Sequence, residues 1–255
     1  MAARRGRSGE MTFLEHFEEL RRRIYWTIIG YCVAFGVSTA FLSQIMEVLV
    51  APYYRYLPEG QRSLAYTEIT EVFFLYMKVA AITGIFLGAP WIFLQLWLFI
   101  APGLKPREKR LALPFVAATS LFFMAGMVFC YFVVLPYTFK FFYDFNKGFT
   151  NVVTVSYFWS FTTKFLLGMG LVFETPILIL FLTRLGIVST GFLLRKFKWA
   201  VLIAFIVAAV ITPSGDPVNQ TIVAVPILVL YLLGILISWL FKKRPRPEGE
   251  EAAEG

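Results

Sequence analysis

Two stretches of this 255-residue sequence set a carboxylate among bases. In "HFEELRRR", Glu19 precedes Arg21, Arg22 and Arg23, with Glu18 as an extra acid beside it. In "GLKPREKR", Glu108 is the one acid among Lys105, Arg107, Lys109 and Arg110. Basic neighbours favour the ionised carboxylate, and two ionised carboxylates can each take a guanidinium as a bidentate pair. The chemistry on offer is recognition of a ligand that carries two guanidiniums. The plainer alternative for Glu19 is a pair with Arg22 or Arg23 one helical turn on, worth roughly a few tenths of a kcal/mol at a surface.

Three further polar positions stand in apolar surroundings. Glu174 falls inside "GLVFETPILIL". At membrane depth a carboxylate costs at least about 2.5–3.5 kcal/mol, so it must face a cavity or a partner, or be protonated. It is either a neutral acid hydrogen-bonded to a neighbouring helix or the polar lining of a groove or docking face. Thr212 and Gln220 flank the turn "PSGDP". They either close the helix ends or form a polar patch to which another protein's helix can hydrogen-bond. Asp216, in the same turn, suits a helix N-cap.

Other chemistries are excluded by what is missing. The single histidine, His16, rules out a multi-histidine metal site, and Cys32 and Cys130 lie in apolar runs without ligand or disulfide spacing. No Walker loop, "GxSxG" or "HExxH" is present, so neither an ATPase nor an intramembrane protease is expected, and no cofactor is.

The elements that must position these groups are membrane helices. The chain is 58% hydrophobic and only 16% charged, with a mean hydropathy of +0.70, where a soluble domain carries about 25% charged residues. Six apolar segments stand out: Ile24 to Leu42, Val72 to Ile100, Pro114 to Leu135, Phe161 to Leu182, Trp199 to Thr212 and Thr221 to Phe241. The second is too long for one straight crossing, and Pro90 and Gln95 suggest a helix to about Leu94 followed by an interfacial piece. The fifth is short for a hydrocarbon core of about 30 Å. Around these spans, 18 of the 24 Lys and Arg residues fall in the N-terminal stretch, the second and fourth connections and the tail. Such a bias puts both termini in the cytoplasm and makes nucleic acid an unneeded explanation of the net charge of +8.

The remaining segments have simpler readings. Thr12 to Arg23 reads as an amphipathic interfacial helix running into the first span, with Phe13, Phe17 and Leu20 as its apolar stripe. The outer loops Met46 to Glu71 and Pro136 to Ser160 are too long for simple turns, and the first is expected to be ordered and to cap the bundle. The tail 242–255, "KKRPRPEGEEAAEG", is expected to be disordered. No N-terminal apolar stretch of signal-peptide length is visible.

Taken together, the pieces resemble the TatC family, the large polytopic subunit of the twin-arginine protein translocase. The resemblance rests on "HFEELRRR", "APYY", "GAPWIFLQLWLFIAPGLKPREKR", "AGMVFCYFVVLP", "FETP" and "ITPSGDPVNQTIVAVP", in order from residue 12 to about 240. It implies an all-α membrane protein of the bacterial cytoplasmic (inner) membrane, six transmembrane helices in a curved, glove-like bundle forming one domain over 1–241. It further implies a receptor for signal peptides with paired arginines, working with TatA- and TatB-type single-span partners and as a homo-oligomer in the complex, driven by the proton motive force. By position, the family's signal-recognition residues correspond to Glu19, Glu108 and Arg21, and its intramembrane acid to Glu174. Its partner-helix contacts correspond to Thr212 and Gln220, and its structural proline to Pro52. A different class remains as the alternative: a proton-coupled small-solute transporter that cycles a proton on Glu174, with Lys78 or Lys164 as counter-charge.

Overall fold

A computed structural model describes residues 13–57, 63–101, 112–146, 149, 152–212 and 214–241. Among these the chain is helical, with no strand beyond an isolated parallel bridge between Ala65 and Thr154. The connection that carries Glu108 and the tail expected to be disordered both lie outside the described residues.

The first helix, α1 (Phe13–Ala40), joins the expected interfacial helix and first span without a break. Nothing in "FEELRRRIYWTII" interrupts a helix, and 28 residues reach about 42 Å, longer than a hydrocarbon core of about 30 Å. The chain then bends by 80° into α2 (Leu42–Tyr54). The next helix, α3 (Glu71–Ile100), does not stop near Leu94 as expected but continues through "QLWLFI". Pro90 is carried inside it, and the continuation buries Gln95 and Trp97 against neighbouring helices.

After the second connection, α4 (Ala112–Phe129) passes through a π-helical turn, Cys130–Val134, into α5 (Leu135–Phe145). Pro136 explains the wide turn: a proline ring clashes with the carbonyl four residues back, and an extra residue in the preceding turn relieves it. Then follow α6 (Val155–Phe173), α7 (Thr175–Arg184), the short α8 (Thr190–Arg195), α9 (Phe197–Ile211) and α10 (Pro217–Leu240).

Four stretches are long and apolar enough to cross a membrane: Glu71–Ile100, Leu113–Phe145, Val155–Arg184 and Pro217–Leu240. The bent α1–α2 pair passes the same test as a unit. At 15 residues, α9 spans only about 22 Å. The molecule is an α-helical, multi-pass membrane protein.

Much of the two segments expected as outer loops is helix. Pro52 lies inside α2, not in a loop, and is buried with Tyr53. The Tyr53 ring meets Phe139 of α5 at 5.3 Å and Phe158 of α6 at 5.2 Å, and Phe139 stacks on Phe158 at 5.8 Å. These rings anchor α2 over the bundle end, and Tyr131 Oη adds a hydrogen bond to the Val48 carbonyl at 2.6 Å.

Elsewhere the helices close on small residues. A Cβ at Gly126 of α4 would stand 2.6 Å from the Met169 carbonyl of α6, and one at Gly84 of α3 would stand 3.1 Å from Phe35 Cα of α1. Such approaches let backbones meet where lipid supplies no hydrophobic driving force.

Candidate functional site

The basic end of α1 is docked on α3. Arg23 sits one turn after Glu19, so the i,i+4 spacing aligns the two on one helix face. Its Nη2 lies 2.5 Å from Glu19 Oε1, and its Nε donates to the same oxygen at 2.6 Å. The pair is mostly covered, Glu19 being 14% exposed. Arg23 Nη1 also donates to Gln95 Oε1 of α3 at 3.3 Å, and two turns earlier on α1 His16 stacks on Phe99 at 4.6 Å.

Further along the seam, Trp91 Nε1 donates to the Trp26 carbonyl at 2.8 Å, and Tyr31 Oη donates to that of Ala81 at 3.2 Å. The α1 carboxylate is thus held in a fixed place at the end of α3 from which the connection with Glu108 departs.

The other arginines of the motif behave differently. Arg21 and Arg22 are exposed, and Arg21 lies over the Tyr25 ring at 5.6 Å. Glu19 Oε2 accepts no hydrogen bond among the described residues, so an ionised carboxylate keeps acceptor capacity for a further guanidinium. Gln95 and His16 are site residues that sequence reading did not assign. A lone amide in a long apolar run needs a polar partner, and that was the available signal for Gln95.

Glu174 lies at the junction of α6 and α7, about two-thirds along the Val155–Arg184 stretch. Pro176 has no N–H for the Val172 carbonyl four residues back. Thr175 Oγ1 takes that place, donating to Val172 O at 2.6 Å. Through the break, Glu174 N donates to Leu171 O at 3.1 Å and its carbonyl accepts from Leu178 N at 2.8 Å. Its Oε1 is buried with no hydrogen-bond partner among the described residues, and neither Lys78 nor Lys164 pairs with it there.

At the other end of the bundle, Asp216 is the N-cap of α10, accepting from Asn219 N at 2.8 Å and Asn219 Nδ2 at 2.9 Å. Ser214 Oγ donates to its second oxygen. Desolvation would raise its pKa, but the bonds from Asn219 and Ser214 outweigh that and hold the carboxyl below its ordinary value. The turn itself needs Gly215, whose φ of +64° is left-handed. Thr212 is 1% exposed and Gln220 half-buried, so of the two only Gln220 presents surface.

A polar site missed in the sequence lies where α3 begins. Buried Glu71 accepts from Thr67 N at 2.6 Å, Thr67 Oγ1 at 3.2 Å, Glu68 N at 3.4 Å and, from α6, Ser156 N at 2.7 Å. It ties the stretch just before α3 to the start of α6.

Known proteins resemble this chain in sequence and in fold. The family model of "Sec-independent protein translocase protein (TatC)" matches residues 15–226. A relative of that name from Koribacter versatilis (strain Ellin345) is 40% identical over 250 residues, covering 96% of this chain and 92% of its own. Another from Campylobacter jejuni subsp. jejuni serotype O:2 is 39% identical, with 94% and 97% covered. A crystal structure of a twin-arginine translocase receptor, TatC, in DDM superposes with a TM-score of 0.79 at 31% identity, covering 88% of this chain and 99% of that one. With sequence pattern and helix arrangement matched along most of its length, the chain belongs to the TatC family of Sec-independent protein translocase proteins.

Proposed function

We propose that this chain is the receptor and core subunit of a twin-arginine translocase, binding signal peptides with paired arginines through Glu19 and Glu108. The observation that carries the reading is the Glu19 carboxylate, held by Arg23 on the end of α3 with Oε2 uncommitted among the described residues. One guanidinium of the signal would bind Oε2 and the other Glu108, which belongs to the connection that follows Ile100, the last residue of α3. Arg21, exposed two residues on with its guanidinium over the Tyr25 ring, belongs to the site by the motif it shares with Glu19.

In this reading the chain crosses the bacterial cytoplasmic membrane six times with both termini inside, because the basic connections collect at one end. The carboxylate of Glu174 lines the path of the signal's apolar segment. Gln220 contacts a TatA- or TatB-type partner helix, while buried Thr212 supports the turn. Copies of the chain work together in the complex. The protein is not an enzyme: it binds, positions and recruits, and the proton motive force drives transport.

The test is photocrosslinking of a paired-arginine signal peptide to probes placed beside Glu19 and Glu108. Crosslinks that vanish in the Glu19→Ala, Glu108→Ala double variant, and for a peptide with both arginines changed to glutamine, support the reading. Undiminished crosslinking in the double variant sinks it. Solute flux in liposomes containing only this chain, lost on Glu174→Gln, would instead favour the transporter.

A further inference from the structure

We propose that the cleft between the ends of α3, α4, α7 and α10 is a binding site for one anionic phospholipid, with an acyl chain in the cleft and the phosphate on Arg184. The cleft has a volume of about 250 Å³ and lies at the end of the bundle where α3, α7 and α10 finish and α4 starts. Its wall is a set of three rings in mutual contact: Trp97 to Phe115 at 4.5 Å, Phe115 to Phe181 at 5.3 Å and Trp97 to Phe181 at 5.9 Å. Rings that brace one another keep a cleft open and shaped for an aliphatic chain.

Two polar features turn an apolar cleft into a site for an amphiphile. Arg184, the last residue of α7, is exposed at the rim with its guanidinium 5.8 Å over the Phe241 ring, and no carboxylate pairs with it among the described residues. A guanidinium forks onto phosphate oxygens as readily as onto a carboxylate. Trp97, which lines the cleft, is 4% exposed, and its indole N–H donates to no group among the described residues. An ester carbonyl of a glycerolipid is an acceptor of the right kind for a donor lying deeper than the phosphate.

The occupant's charge follows from position. Arg184 and Phe241 close their helices, so the mouth lies at headgroup level and the rings lie towards the acyl region. Basic clefts between membrane helices at such ends collect anionic headgroups. Signal recognition plays no part in this site, so its failure leaves the receptor reading untouched.

The experiment is native mass spectrometry of the full chain after exchange into equal amounts of phosphatidylglycerol and phosphatidylcholine. The wild type should retain one phosphatidylglycerol molecule more than Arg184→Gln, with Arg184→Lys in between. Ala118→Trp, which fills the cleft while leaving Arg184 in place, should lose the same lipid. Equal retention by the wild type, Arg184→Gln and Ala118→Trp overturns the site, as does equal retention of phosphatidylcholine. Retention by Ala118→Trp with loss in Arg184→Gln would mean headgroup adsorption without the cleft, and would overturn it too. Arg184 is exposed, so Arg184→Gln tests the site even if Ala118→Trp does not fold; gel filtration and circular dichroism report which variants do.

Discussion

Arg23 joins Gln95 across the α1–α3 seam at 3.3 Å while gripping Glu19 at 2.5 Å. The guanidinium therefore orients a carboxylate that one helix alone would leave free to rotate. Holding one side chain in place is worth about 0.5–1.5 kcal/mol, which is roughly twofold to tenfold in a dissociation constant. Arg23→Met should weaken binding of a paired-arginine peptide by that factor, and Arg22→Met, at an exposed position, should not. Peptide titration by fluorescence anisotropy decides: tighter binding by Arg23→Met would mean that Arg23 merely competes for Glu19.

Close packing of α4 on α6 predicts a sharp contrast between two glycines. Gly126→Ala pushes a methyl to 2.6 Å from the Met169 carbonyl, and backbone cannot swing aside. It should cost about 1–3 kcal/mol. Gly36→Ala on α1 meets nothing within 4 Å and should leave the melting temperature unchanged or raise it, since alanine is the better helix former. Thermal unfolding in detergent compares them.

Loss of the Glu71 carboxylate should loosen two segments at once. Its oxygens serve Thr67 and Glu68 on one side and Ser156 on the other. Glu71→Ala should speed hydrogen exchange at the amides of Thr67 and Ser156 together, while exchange within α10 stays as in the wild type. Protection retained at both amides would show that the carboxylate is dispensable there.

Acid should fray the start of α10. The folded-state pKa of Asp216 lies below its ordinary value, so its contribution is complete above the unfolded value of about 3.9 and is lost as pH falls through the lower, folded value. Exchange at the Asn219 amide should rise on acidification below about pH 4. Asp216→Asn should keep the cap and remove that dependence, whereas Asp216→Ala should cost about 1 kcal/mol at neutral pH. A wild-type profile flat to about pH 2 would contradict the assignment.

The membrane character, the apolar helices and the candidate acids were all legible in the sequence, because each depends on composition or on spacing within a few residues. A run of apolar residues must be a helix in lipid wherever it packs. Helix ends were less legible. Pro90 and Gln95 argued for a stop near Leu94, yet the helix continues to Ile100 because Gln95 and Trp97 find partners in other helices. Pro52 and Pro136 likewise sit in helical surroundings that neighbouring helices and a π turn make tolerable.

Local periodicity brought Glu19 within reach of both Arg22 and Arg23, and tertiary packing chose between them. Arg23 is the one that reaches α3, where Gln95, 72 residues away in the chain, offers its amide oxygen. Glu71 went unnoticed for the same reason: it reads as an ordinary acid before an apolar run, and its role depends on Ser156, 85 residues on. By itself the sequence determined that this chain is a bundle of membrane helices with carboxylates among bases at one end and one acid within a span. Which guanidinium holds which carboxylate, and which cation is left facing an apolar cleft, was decided by how the helices cross, since a helical repeat specifies a face but not the neighbour that covers it.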